Sequence, residues 1–87
     1  MRISVIRTGG FGGAPKRATL ETDDDKLIAL VREAVDEGRE VPPVGVPDGF
    51  NYEITVDGKA VYCADPRLTD AQSTVITRVL KEGREEA

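Results

Sequence analysis

Apolar and polar positions alternate along two stretches near the start of the chain and two past its middle. At helical spacing, apolar residues recur between those pairs and again near the end. Residues 2–8 are rich in β-branched side chains, with Ile3 and Val5 on one face and Ser4 on the other, and Ile6 breaks the alternation. Residues 16–21 resume a period of two, Ala18 and Leu20 against Arg17, Thr19 and Glu21. The pattern predicts two antiparallel strands whose connection, residues 8–15, is a hairpin tip. Leu27, Leu30, Val31, Ala34 and Val35 then match an amphipathic helix. Thr22 with Asp25 three residues on is the expected cap, Asp23, Asp24 and Asp25 place negative charge in the first turn, and Gly38 is the expected stop. Pro42, Pro43 and Pro47 exclude helix and central strand from residues 39–48.

Tyr52, Ile54 and Val56 alternate with Asn51, Glu53 and Thr55 ahead of Asp57-Gly58, a strong two-residue hairpin signal. A turn there pairs Val56 with Lys59, Ile54 with Val61 and Tyr52 with Cys63. Cys63 therefore reads as packing and not as chemistry. Thr69 with Gln72 forms a capping box for a last helix carrying Ala71, Val75, Ile76, Val79 and Leu80, which stops near Gly83. The expected fold is α+β in ββαββα order: a four-stranded antiparallel sheet, the first helix across one face, the second at an edge or on the same face. A frayed tail is expected over residues 82–87.

Composition narrows the function. A chain of 87 residues fits one domain with a modest core, and 39% hydrophobic with 32% charged places it in the globular class. With no long apolar run and no signal peptide, the expected location is the cytoplasm, and a single cysteine agrees. Twelve basic against 16 acidic residues give a net charge of −4, which disfavours nucleic-acid backbones and anionic lipid surfaces as partners. The chain has no histidine and no second cysteine, so the common general base and the soft zinc ligands are missing. The expectation is a non-enzyme without cofactor or metal, a monomer when free.

The chemistry-bearing segment is Thr8-Gly9-Gly10-Phe11-Gly12-Gly13-Ala14-Pro15, four glycines around one aromatic. Glycine this dense costs ordering entropy, roughly 0.5–1 kcal/mol each relative to Ala, so such a loop usually has a task. The segment is not a dinucleotide fingerprint or a phosphate loop, because the third glycine and a Gly-Lys-Ser/Thr are absent and a strand follows. Gly9 to Gly12 also fits the GXXG pattern of RNA-binding loops, but that loop joins two helices and the net charge has the wrong sign. Asp23-Asp24-Asp25 lacks the alternate spacing of a calcium loop and reads as helix-start electrostatics. Phe50, Tyr52 and Tyr62 are secondary binding candidates, Tyr62 facing away from Cys63 beside Glu53. From the residues alone, Phe11 is equally a lid on the core and a projecting anchor.

The run Arg2-Ile3-Ser4-Val5-Ile6-Arg7-Thr8-Gly9-Gly10-Phe11-Gly12-Gly13 resembles the opening of emfourin-type inhibitors, small bacterial proteins that block thermolysin-like and protealysin-like zinc metalloproteases. That family opens with a short strand, a basic residue, Ser or Thr, then Gly-Gly-Phe, a small residue and Gly. Pro47-Asp48-Gly49-Phe50-Asn51-Tyr52-Glu53-Ile54-Thr55-Val56 is similar to its second signature, so the resemblance spans most of the chain. The chain departs from the family at Ala14, at Pro42-Pro43 and from Leu68 onward. The resemblance implies a helix on a four-stranded antiparallel sheet. It also implies a metalloprotease partner, whose cleft would be occluded by the loop (Thr8, Gly9, Gly10, Phe11, Gly12, Gly13 and Ala14) with Phe11 in the apolar specificity pocket. The competing expectation is an adaptor that adds a partner strand to an exposed edge, at residues 2–8 or 59–64.

Overall fold

The computed structural model describes residues 1–9, 14–41, 49–65 and 67–86. In chain order the elements are β1 (Arg2–Gly9), β2 (Lys16–Glu21), α1 (Asp25–Glu37), β3 (Phe50–Val56), β4 (Lys59–Ala64), α2 (Asp70–Glu82) and β5 (Arg84–Glu86). The strands form one antiparallel sheet in the order β4-β3-β1-β2-β5, with β1 at its centre. The fold is α+β, but the sheet has five strands where four were expected.

The fifth strand is the tail. Residues 84–86 pair with β2, Arg84 opposite Thr19 and Glu85 opposite Ala18, where fraying was expected. Gly83 makes this reversal feasible: a Cβ there would lie 2.5 Å from the Val79 carbonyl oxygen and 2.8 Å from that of Thr19. Only a residue without a side chain lets the end of α2 sit this close to β2. Arg84-Glu85-Glu86 carries no apolar alternation, so its sequence gives no strand signal.

Ile3, Val5, Ala18, Ile54, Val56 and Val61 of the sheet form one core with Leu27, Val31 and Ala34 of α1 and Val75, Ile76 and Val79 of α2. Both helices therefore lie on one face, α2 against α1 and over β1 and β2. An isolated 13-residue helix is marginal in water, whereas each fully buried Val, Leu or Ile contributes about 1.5–3 kcal/mol, so packing dominates the stability of both. The opposite face carries Ser4, Thr19, Thr55, Glu53 and Arg17, with Ser4 Oγ 3.0 Å from Thr19 Oγ1. Ile6 belongs to this face, half-buried between Glu53 and Arg17, which accounts for its break in the alternation.

The hairpin at Asp57-Gly58 has the expected register, Val56 with Lys59, Ile54 with Val61 and Tyr52 with Cys63. Asp57 at φ 51° and Gly58 at φ 82° supply the two left-handed residues such a turn needs. The capping box of α2 is also present, Thr69 and Gln72 bonding each other's backbone N–H.

The cap of α1 differs. Asp24, not Thr22, is the N-cap, its Oδ1 accepting from the N–H of Lys26 at 2.9 Å and of Leu27 at 3.5 Å. Thr22 is held in extended pairing with Met1, whose amino group donates to its carbonyl at 2.8 Å. Its hydroxyl accepts from the Asp24 N–H at 3.0 Å. The carboxylate two residues nearer the helix satisfies the free amides and carries the negative charge that a helix start favours.

Candidate protein-binding site

The central strand β1 ends at Gly9, the position from which the glycine segment departs. Gly9 has φ +94° and stands opposite Phe50, and a Cβ on it would fall 2.7 Å from the Gly49 carbonyl oxygen. Both the backbone angle and the close approach demand glycine here. Thr8, opposite Asn51, and Ala14, on the return side, are exposed. Gly10, Phe11, Gly12 and Gly13 lie outside the described residues.

At the foot of this segment stands an aromatic ledge. Phe50 is 36% exposed, and the Arg7 guanidinium carbon lies 4.6 Å from its ring centroid, within cation–π range. The Phe50 and Tyr52 rings are tilted by 54° with centroids 6.4 Å apart. Arg7 follows Ile3 and Val5 at period two, so it lies on the helix-bearing face, opposite Tyr52 on one side and Lys16 on the other.

Tyr52 is a core residue with a polar tip. It is only 8% exposed, and its hydroxyl donates to Asp65 Oδ2 over a long 3.4 Å. Burial, then the charge of Asp65, raises its pKa above the ordinary 10.0, with Arg7 acting in the opposite direction. Asp65 is fixed by its N–H donating to the Phe50 carbonyl at 3.0 Å. Asn51 Oδ1, on the other face, is buried and has no hydrogen-bond partner among the described residues.

The structure thus brings Thr8, Gly9, Phe50 and Tyr52 to one end of the sheet, whereas Tyr62 lies apart. Tyr62 faces the uncovered side opposite Glu53, whose hydrogen bond is the main cause of its raised pKa. Its backbone is paired with Arg39. Cys63 is half-buried against the core, and burial, with the Asp65 charge second, pushes its thiol from 9.0 up to about 11. It is a packing residue, as its register predicts.

Arg7, Lys16 and Asp65 escaped the reading of the sequence as individual site residues. Period two was enough to place Arg7 and Lys16 on the face of Val5. Asp65 had no local signal, because its role arises from a contact with Tyr52 across the hairpin. The assembled groups, an exposed glycine, a cation on an aromatic ring and a buffered tyrosine, suit non-covalent contact. Among the described residues no three His, Cys, Asp or Glu side chains gather as a metal site, and no helix is long and apolar enough to cross a membrane. The chain matches no protein-family model, no curated protein and no solved structure.

Proposed function

We propose that this chain is a proteinaceous inhibitor of thermolysin-like zinc metalloproteases, of the emfourin type. Its glycine segment occludes the active-site cleft and Phe11 fills the apolar pocket. The observation that carries the reading is the position of the segment: it leaves the end of the central strand, paired on both sides, through a Gly9 whose geometry admits no side chain. The strand end that carries the segment is already fixed by pairing before any docking, which lowers the cost of binding there. The two sequence signatures meet at this end, since Gly9 of the first stands opposite Phe50 of the second.

Steric occlusion is the mechanism these residues favour. Cys63 is the chain's one soft zinc ligand, and its thiol stays protonated at neutral pH. The reading carries with it a non-enzyme that acts in the cytoplasm without cofactor and is monomeric when free.

The adaptor alternative loses one of its two edges, and the other is partly engaged. Residues 2–8 form the centre of the sheet, not an edge. The outer side of β4 is engaged by Arg39 at Tyr62 and by the Arg67 N–H at Ala64, while β5 covers the free side of β2.

The test is hydrolysis of a peptide substrate by a thermolysin-like protease after long preincubation with the purified chain. Saturable inhibition is expected, weakened about 10- to 150-fold by Phe11→Ala, the equivalent of about 1.5–3 kcal/mol for one buried Phe. Full potency in a folded Phe11→Ala variant would remove the anchor, and failure to inhibit any such enzyme would remove the function.

A further inference from the structure

The register sets Arg7 directly opposite Lys16 on one face of the sheet. Like charges in that relation destabilise a strand pair. Relief is at hand in a chain of net charge −4, yet neither cation has a carboxylate within ion-pair distance among the described residues, where Arg78–Glu82 is the ion pair formed. The nearby Asp65 carboxylate is turned to the Tyr52 hydroxyl instead. Arg7 rests on the Phe50 ring, which restrains the guanidinium and leaves its N–H groups without an acceptor among the described residues. The two cations also bracket the glycine segment, Arg7 two residues before Gly9 and Lys16 two residues after Ala14.

We propose that Arg7 and Lys16, with Phe50 under the guanidinium, form a carboxylate-binding ledge that docks an acidic segment of the protein partner alongside the glycine loop. The inference rests on the reading that a partner meets this end of the sheet. A carboxylate accepts a bidentate pair of hydrogen bonds from Arg7, and Lys16 adds a second charge. Two cations on an acidic protein are too few for a polyanion such as nucleic acid, whose charge the rest of the surface repels. The ledge chiefly steers association, so its contribution falls as salt rises.

The experiment is an NMR titration of the intact chain with an acetylated, amidated hexaglutamate peptide, with hexalysine and inorganic phosphate as controls. Saturable shifts are expected at Arg7, Lys16 and the Phe50 ring, fading by about 0.15 M salt and absent in Arg7→Gln/Lys16→Gln. That variant removes a like-charge pair, so it should fold with a Tm no lower than the parent. No shifts at these residues, equal shifts with phosphate, or shifts that persist in the variant would each overturn the ledge. Protease inhibition separates the two proposals. A variant that inhibits and associates as fast as the parent at low salt removes the ledge and leaves the inhibitor. Peptide bound at the ledge by a chain that inhibits no metalloprotease does the reverse.

Discussion

Gln72 of α2 donates its side-chain Nε2–H to the backbone carbonyl of Ala34 on α1, 3.3 Å away and sealed from solvent. The bond answers a local defect. At the end of α1 the Gly38 N–H turns to the Val35 carbonyl at 3.1 Å, an i to i−3 bond, and the Ala34 carbonyl is left without it. Gln72 supplies the missing donor while its Oε1 accepts from the Thr69 N–H at 3.1 Å, so one side chain closes one helix and opens the other. Thr69 adds a second link, its hydroxyl donating to Glu37 Oε1 at 2.7 Å.

Replacing Gln72 by Ala should therefore cost more than loss of a cap. One buried and one part-buried backbone group lose their partner, for about 2–4 kcal/mol, against about 1 kcal/mol for Thr69→Ala. Urea denaturation of both variants checks the order.

Gly38 is set by a neighbour and not by its backbone angle. A Cβ at this position would come within 2.6 Å of Val61 Cγ2 and 2.7 Å of Val61 Cβ. Gly38→Ala should destabilise by about 1–3 kcal/mol, and Val61→Ala in the same chain should recover part of that loss. A double-mutant cycle measures the coupling.

Deleting residues 84–87 should uncover the outer side of β2. A loss of about 1–2 kcal/mol is expected from the few ladder bonds removed, with faster amide exchange confined to β2 and the end of α2. Uniformly faster exchange would mean that β5 supports the whole sheet.

Alkaline pH should weaken the fold through Cys63 and its cross-strand partner Tyr52. Both pKa values are raised in the folded chain, Cys63 from 9.0 to about 11. The unfolded chain thus releases these protons first. The Cys63 contribution is complete below about pH 9 and is lost as pH rises through about 11, and that of Tyr52 is lost only above its ordinary 10.0. Thermal melts across that range read the decline. Thiol alkylation near pH 8 should run at least about tenfold slower in the folded chain than in urea.

Much of this architecture was legible because its signals are local. Thr69 and Gln72 sit three apart, Asp57-Gly58 fixes a register by itself, and Leu27, Val31 and Ala34 mark a helix face. What escaped depends on distant groups. Met1 holds Thr22 away from the helix and hands the cap to Asp24, and Gly83 draws Arg84 beside Thr19 without any apolar pattern to announce it. The site divides in the same way. Thr8, Gly9 and Phe50 could be picked out from motifs, but the stacking of Arg7 on Phe50 follows from β1 pairing with β3 across more than forty intervening residues.

The direction of β5 has a practical consequence. It runs from Arg84, beside Thr19, to Glu86, beside Arg17, and so heads toward the end of the sheet where Gly9 and Ala14 lie. Met1 is tied to Thr22 at the other end. A label, tether or fused domain attached to the β5 end of the chain would be directed toward the side of the sheet that holds Gly9 and Ala14 and crowd whatever docks there, whereas the same attachment ahead of Met1 would leave that approach open.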